Sequence, residues 1–424
     1  MSVDPYGFSD SVASAAPLAT APDGTPPNAA LTRWATIITV PLVTLIFGLA
    51  YYLSRSNRYL FAMDQGIDPA SLSTLGTLGG FGGLVAGAAL AAAAGGASAM
   101  TAGVVAFILG TALQTFGGFE AGVVVVAIGR YMFNVGAAAT LARGPRREGT
   151  RVAMFMLVYV ALNLGAMASR PFSWIGDAFG PSATVVIATL FAVAALVPAV
   201  PLLILHLLRP PESAAQLAEG LEPRALIGAA ITAGIALLAY TAWSCGIEMQ
   251  WRLSGDSYVF NSFLFTWINP LAVIVTGSVC AAVVGGLGMA GIRVPALAVA
   301  GVGALIVGAG LLPSVFGGLF AGAAPMYLTQ LLSGMGEPLL YAGIQARIVA
   351  GVHWRVAPIG AAVLPACGLI ATLLGKLLES DALVGTFAAA AGVVTLAGGV
   401  ALCAGAIFDR SGPAKLAPED ATAV

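Results

Sequence analysis

Apolar residues in this chain form long runs that are separated by short polar stretches. Most runs exceed the roughly 20 residues that an α-helix needs to cross the hydrocarbon layer of a bilayer. They predict an all-α membrane protein with twelve transmembrane helices. The division between the second and third spans is the weakest, because residues 86–107 carry no charge, and eleven spans is the alternative. The twelve predicted spans are 34–62, 70–92, 99–118, 120–142, 152–170, 182–208, 225–248, 262–287, 294–313, 317–345, 356–378 and 382–407.

The composition agrees with this pattern. Apolar residues make up 59% of the chain and charged residues only 9%, with a mean hydropathy of +0.94. The net charge of −1 favours no nucleic-acid partner, and the four cysteines have no disulfide or metal-ligand spacing. No catalytic constellation or nucleotide-binding loop is visible. We therefore expect neither an enzyme nor a protein with a cofactor.

The chain divides into two similar halves. The longest polar segment in its interior, RPPESAAQLAEGLEPRA, spans 209–225, and the string Arg-Val-Ala at 151–153 recurs at 355–357, an offset of 204 residues. Each copy opens a span after a basic loop, which favours two pseudo-symmetric six-helix halves. The expected regions are a disordered N-terminal tail (1–32), a first half (33–208), a linker (209–224), a second half (225–408) and a C-terminal tail (409–424).

The basic residues predict the orientation. With twelve spans, twelve Lys and Arg residues fall on the side of the termini and three on the other side. An excess of Lys and Arg marks cytoplasmic loops. We therefore expect a multi-pass protein of the inner membrane with both termini in the cytoplasm.

The ionisable side chains within the spans are concentrated on every third helix. Charges at membrane depth cost at least a few kcal/mol and normally face a cavity or a partner. This period of three helices predicts a secondary transporter with one central aqueous cavity. The charges lie on spans 1, 4, 7 and 10 and are Arg55, Arg58, Glu120, Arg130, Glu248 and Glu337.

Glu337 stands out among these charges because it lies deep in span 10. A carboxylate in apolar surroundings tends to take up a proton, as a proton-coupled carrier requires; the alternative is an inert side chain beside Pro338. Arg130 falls at a similar depth in span 4. The two are expected to pair in one conformation, or else to form a permanent structural pair.

The remaining candidates are less distinctive. Arg55 either binds an anionic group or reaches the outer interface, and Glu248 is a candidate for a gate or proton path. Tyr240 and Trp243 give span 7 an aromatic lining. Asn163 and Asn269 carry amides that need several hydrogen-bond partners, so each either joins two helices or contacts substrate.

Several segments resemble a known family. The layout is similar to that of the major facilitator superfamily, and GRYMFNVGAAAT (129–140) resembles its fourth-helix pattern. More specifically, the chain resembles the proton-dependent oligopeptide transporters. The segments that carry this resemblance are LAYYLSRSNRYLFAM (49–63), FMLVYVALNLGAMAS (155–169), TWINPLAVIV (266–275) and GMGEPLLYAG (334–343).

By this resemblance, six residues would line a peptide site: Tyr51, Tyr52, Arg55, Asn163, Asn269 and Glu337. Glu337 would meet the amino group of the substrate and Arg55 its carboxylate. The chain departs from the family at the Glu-x-x-Glu-Arg proton motif of the first helix, because Thr44, Phe47 and Gly48 stand there.

These observations predict a monomeric secondary transporter that moves a small polar or zwitterionic solute by alternating access, with proton coupling through Glu337. One alternative is an efflux carrier for amphipathic compounds, which the aromatic residues of span 7 favour. Another is a non-transporting assembly factor or sensor on the same fold, because of the absent proton motif. The expected partners are the solute, protons and the bilayer.

Overall fold

The computed structural model is all-helical in the part that it describes. This part comprises residues 27–56, 66–67, 69–142, 147–208, 231, 234–235, 237–245, 262–312, 324–350, 356–377 and 381–408. The predicted linker and C-terminal tail lie outside it, as do residues 1–26 of the predicted N-terminal tail. Residues 27–32 of that tail are helical, so the disordered tail predicted to end at 32 is wrong for these six residues. Helices are favoured because a backbone in lipid must satisfy its hydrogen bonds internally.

The first half contains α1 (Pro27–Ser56), α2 (Pro69–Ala94), α3 (Gly96–Thr115), α4 (Phe119–Ala142), α5 (Glu148–Ser169), a short α6 (Ser173–Phe179) and α7 (Pro181–Leu207). The second half contains the helical segment 237–245, α8 (Ser262–Met289), α9 (Ala296–Leu311), α10 (Ala324–Ala350), α11 (Ala357–Leu377) and α12 (Asp381–Phe408).

Nine of the described helices are long and apolar enough to cross a membrane: α1 to α5, α7, α8, α11 and α12. Helix α9 is shorter, and the polar residues of α10 lower its hydropathy. The seventh predicted span is described only in part. The structure therefore supports a multi-pass helical protein, and the number twelve stays a prediction.

The doubtful division between the second and third spans is real. Helix α2 ends at Ala94 and α3 begins at Gly96, so one residue separates them. The backbone of Gly95 has φ of 91°, a conformation that only glycine adopts without strain. These are therefore two helices rather than one.

Glycines bring α3 and α4 into close contact at intervals of seven residues. A Cβ on Gly103 would lie 2.7 Å from the carbonyl oxygen of Gly129, and a Cβ on Gly129 would lie 2.6 Å from that of Gly103. Gly96 meets Gly136 and Gly110 meets Gly122 in the same way. Small residues allow such backbone approach in membranes.

The same contact recurs between α9 and α10 in the second half. Gly303 lies against Gly336, and a Cβ on either would lie 2.7 Å from the carbonyl oxygen of the other. The flanking contacts are Gly343 with Ala296 and Gly310 with Thr329. Helix α4 therefore maps onto α10 with an offset of 207 residues, from 129 to 336. The offset of 204 taken from the Arg-Val-Ala repeat is wrong for this helix pair by almost one turn.

The helix pairs that join the two halves include α5 with α8, α5 with α10, α2 with α11, α4 with α11, α4 with α10 and α5 with α9. Helices α1, α4, α5, α10 and α11 thus meet around the centre of the molecule. This arrangement places their inward faces around a common cavity.

Candidate functional site

A cavity of about 430 Å³ lies between the two halves. Helices α1, α2, α4, α5, α10 and α11 contribute to its wall, together with the segment 237–245. Among the described residues, three charged side chains line it, namely Arg55, Arg130 and Glu337. Its aromatic lining includes Tyr51, Tyr52, Tyr131, Tyr159, Tyr240 and Tyr341. The cavity therefore offers cationic, anionic and aromatic contacts to one small molecule.

Arg130 is held by aromatic side chains. Its Nη1 donates a hydrogen bond to the hydroxyl of Tyr51, and its guanidinium carbon lies 4.1 Å from the centre of the Tyr51 ring and 5.2 Å from that of Tyr131. These cation–π contacts keep a half-buried cation in place without neutralising it. In the described part of the chain, no carboxylate lies within 4.0 Å of this guanidinium. Arg130 is thus available to an anionic group.

Glu337 is held by hydrogen bonds from both halves. Its Oε1 accepts a hydrogen bond from the hydroxyl of Tyr159 on α5, and its Oε2 lies 3.5 Å from the amide nitrogen of Asn269 on α8. The rings of Tyr159 and Tyr341 pack at 4.7 Å between centroids. In this conformation Glu337 and Arg130 do not form an ion pair. The permanent structural pair is therefore wrong, and a pair formed in another conformation stays a prediction.

Some predicted site residues do not reach the cavity wall. Asn163 donates a hydrogen bond of 2.9 Å to the carbonyl of Tyr159 in its own helix. Trp243 is buried in the apolar core of the second half. Asn269 is not among the lining residues, but its amide nitrogen lies near the carboxylate of Glu337, which is. Glu248 lies outside the described residues.

The sequence analysis did not include Tyr131, Tyr159 or Tyr341 among the site residues. The signal for Tyr159 was its place one helical turn before Asn163, which puts both on one face of α5. Tyr131 follows Arg130 directly. Tyrosine is common at membrane interfaces, so its occurrence in a span was not by itself informative.

Polar contacts also join the halves at one end of the bundle. Arg147 donates hydrogen bonds to the carbonyl oxygens of Gly288 and Met289. Glu148 accepts a hydrogen bond of 2.9 Å from the backbone nitrogen of Ala296, at the start of α9, and lies 4.0 Å from Arg293. Helices α5 and α8 are therefore fastened to each other where α5 begins and α8 ends.

By sequence, no protein-family model matches the chain, and no curated protein matches it significantly. Solved structures do match. The human organic anion transporter MFSD10 (TETRAN) has a TM-score of 0.62 at 16% identity, over 88% of this chain and 99% of that one. The fucose:proton symporter FucP of E. coli also has a TM-score of 0.62, at 15% identity, over 87% and 99%.

A POT family transporter, solved with a thioalcohol-conjugated peptide, matches with a TM-score of 0.62 at 17% identity, over 87% of this chain and 95% of that one. Peptide transporters are thus among the structural neighbours, in agreement with the resemblance of the four segments. Identities this low establish the fold alone. This chain is a multi-pass membrane protein with the fold of the major facilitator superfamily.

Proposed function

We propose that this protein is a secondary transporter that moves a small zwitterionic solute, such as a peptide or an amino-acid-like compound, by alternating access. One observation carries the proposal. A single cavity presents an unneutralised guanidinium from the first half and a carboxylate from the second half. A solute with one anionic and one cationic group would be bound by both halves at once.

In this arrangement Arg130 binds the anionic group. Charge-assisted hydrogen bonds to guanidinium are strong and directional, because its planar fork matches a carboxylate. Arg55 also lines the cavity, but its side chain is exposed. It is therefore a second contact at the outer part of the wall rather than the principal one.

Glu337 binds the cationic group or a proton. A carboxylate deep in a membrane protein is costly unless partners stabilise it, and here those partners are two hydrogen-bond donors rather than a cation. A proton or an ammonium group from the solute supplies the missing positive charge. This exchange is the basis for coupling solute movement to protons.

The cavity wall supports a second candidate function as well. Six tyrosine rings provide wide apolar contact, and together with Arg130 they suit an amphipathic organic anion. The structural neighbours include a protein described as an organic anion transporter. Carriage of amphipathic anions, with export as its direction, is therefore the alternative.

The organisation proposed with this function follows the sequence. The predicted halves are 33–208 and 225–408, joined by the linker 209–224 and flanked by the tails 1–32 and 409–424; since α1 begins at Pro27, the first half extends back to that residue. The protein lies in the inner membrane as a monomer, with both termini in the cytoplasm. The α5–α8 contacts at Arg147 then lie on the cytoplasmic side and join the two halves there.

The test uses purified protein in liposomes with a pH gradient and an internal pH dye. Peptides, amino acids and amphipathic anions are added in turn, and protein-free liposomes are the control. We expect proton movement with zwitterionic solutes, and its loss in Glu337→Gln. A response to amphipathic anions alone would favour the second candidate. No binding or transport by folded protein would overturn the proposal and favour a non-transporting role.

A further inference from the structure

The carboxylate of Glu337 is bonded to both halves of the protein. Tyr159, which donates to Oε1, belongs to α5 of the first half, whereas Asn269, near Oε2, belongs to α8 of the second half. Glu337 itself is in the second half. Only the bond from Tyr159 therefore crosses between halves, among the described contacts of this carboxylate.

A bond of this kind is sensitive to the charge of its acceptor. A hydroxyl donates more strongly to an ionised carboxylate than to a neutral group. A protonated carboxyl group has one fewer acceptor site, and an ammonium group bound to the carboxylate competes for the same oxygens. The strength of the Tyr159 bond thus depends on what occupies Glu337.

We infer that Tyr159 is a positioning residue that couples the occupancy of Glu337 to the opening of the cavity. With Glu337 ionised and empty, the bond holds α5 against α10 while α5 and α8 are fastened at Arg147 and Gly288. A proton or an ammonium group at Glu337 weakens the hydrogen bond from Tyr159. The halves then separate at the end where Arg147 contacts Gly288. This inference deepens the proposed function and rests on it for the identity of the ligand.

The packing around Glu337 allows the role of the Tyr159 hydroxyl to be tested separately from that of its ring. The ring of Tyr159 packs against Tyr341, so Tyr159→Phe keeps the packing and removes only the bond. In the described part of the chain, the other titratable and charged groups around this carboxylate or in the same cavity are Tyr51, Tyr52, Tyr131, Tyr240 and Tyr341 and the cations Arg55 and Arg130. The hydrogen bonds described for Glu337 come from Tyr159 and Asn269.

The experiment measures the opening directly. Spin labels at Ala142 and Ala290, near the ends of α4 and α8, report the separation of the halves in full-length protein. Acidification from about pH 8 to about pH 5 should shift the closed-to-open ratio of the wild type about tenfold. Tyr159→Phe should show the open-shifted distribution at both pH values.

Two further variants make the result specific. Asn269→Ala removes a bond within one half and should keep the pH response. Glu337→Gln removes the charge and should give the acid distribution at every pH, which keeps the inference testable if Tyr159→Phe folds poorly. A pH response retained in Tyr159→Phe would overturn the inference. A wild type that opens with pH but binds no zwitterion would overturn the proposed function and leave this inference standing.

Discussion

Arg130 and Glu337 occupy equivalent positions in the two halves of the protein. Each directly follows the central glycine of its helix, Gly129 in α4 and Gly336 in α10. These glycines contact Gly103 and Gly303 in the neighbouring helices. The equivalent position in the two halves thus lines the cavity in both, and it carries a positive charge in the first half and a negative charge in the second.

The first prediction concerns the anion site. Arg130→Gln should weaken the binding of a zwitterionic solute about tenfold to a hundredfold, because a charged hydrogen bond contributes about 1.5–3 kcal/mol. Arg130→Lys should restore part of the affinity, since lysine keeps the charge but lacks the planar fork. Binding is measured by titration calorimetry with a peptide.

The same peptide with an amidated carboxyl group is the control. Arg130→Gln should bind the acid and the amide with similar affinity, whereas the wild type should prefer the acid. Arg55→Gln should keep most of this preference because its side chain is exposed. A larger effect at Arg55 than at Arg130 would assign the anion site to Arg55.

A second prediction separates the two asparagines. Asn269→Ala should lower solute affinity because it removes a hydrogen-bond donor near Glu337. Asn163→Ala should change affinity less, since Asn163 bonds to its own helix and does not line the cavity. The KM of uptake in liposomes distinguishes them, and an equal or greater effect at Asn163 would show that its amide turns into the cavity during transport.

A third prediction concerns the glycine contacts. Gly129→Ala should destabilise the protein by about 1–3 kcal/mol, because its Cβ would lie 2.5 Å from the backbone nitrogen of Phe107. Gly405→Ala is the matched control, since a Cβ at this helical glycine meets nothing within 4 Å. Alanine also has the better helix propensity, so this variant should be neutral or stabilising.

Thermal unfolding of the purified protein in detergent measures both glycine variants. The expected order of Tm is Gly405→Ala at or above the wild type, then the wild type, then Gly129→Ala. Equal Tm values for the two variants would mean that α3 and α4 can separate without cost.

The fourth prediction concerns the contacts between α5 and the loop after α8. Glu148→Gln should favour opening at this end by about 1 kcal/mol, roughly fivefold in population, because the charged acceptor for the Ala296 nitrogen is lost. Arg293→Gln should have a smaller effect, since Arg293 is 39% exposed and 4.0 Å away.

The readout is the rate at which an impermeant maleimide labels Thr150→Cys in a background without the native cysteines. Thr150 packs against Gly288 and is half-buried while the halves are joined. Faster labelling in Glu148→Gln is expected from the proposed cytoplasmic side only. Labelling from the opposite side would reverse the proposed orientation.

The sequence predicted the helical membrane fold because apolar run length alone requires it. It also identified the charged residues of the cavity, since Arg130 and Glu337 stand out against apolar neighbours. It did not predict which way other side chains point around their helices. Trp243 therefore proved to be in the core, and Asn163 to bond to its own helix.

The offset of 204 residues between the two halves is wrong for α4 and α10 for a physical reason. The Arg-Val-Ala repeat lies where loops pass into helices, and loops of unequal length change the offset between halves. The glycines at intervals of seven lie within helices, where no insertion is tolerated. Their spacing was visible in the sequence and would have aligned Arg130 with Glu337 directly.

The interlocked glycines of α3 and α4 have a consequence for the response to the lipid. The contacts at Gly103, Gly110 and Gly96 leave no space for a sliding step of one residue, so the two helices keep their relative height. A thicker or thinner bilayer is then accommodated by tilt of the whole pair rather than by adjustment of single helices. Lipid thickness should therefore act on the angle between the two halves of the protein and leave the interior of each half unchanged.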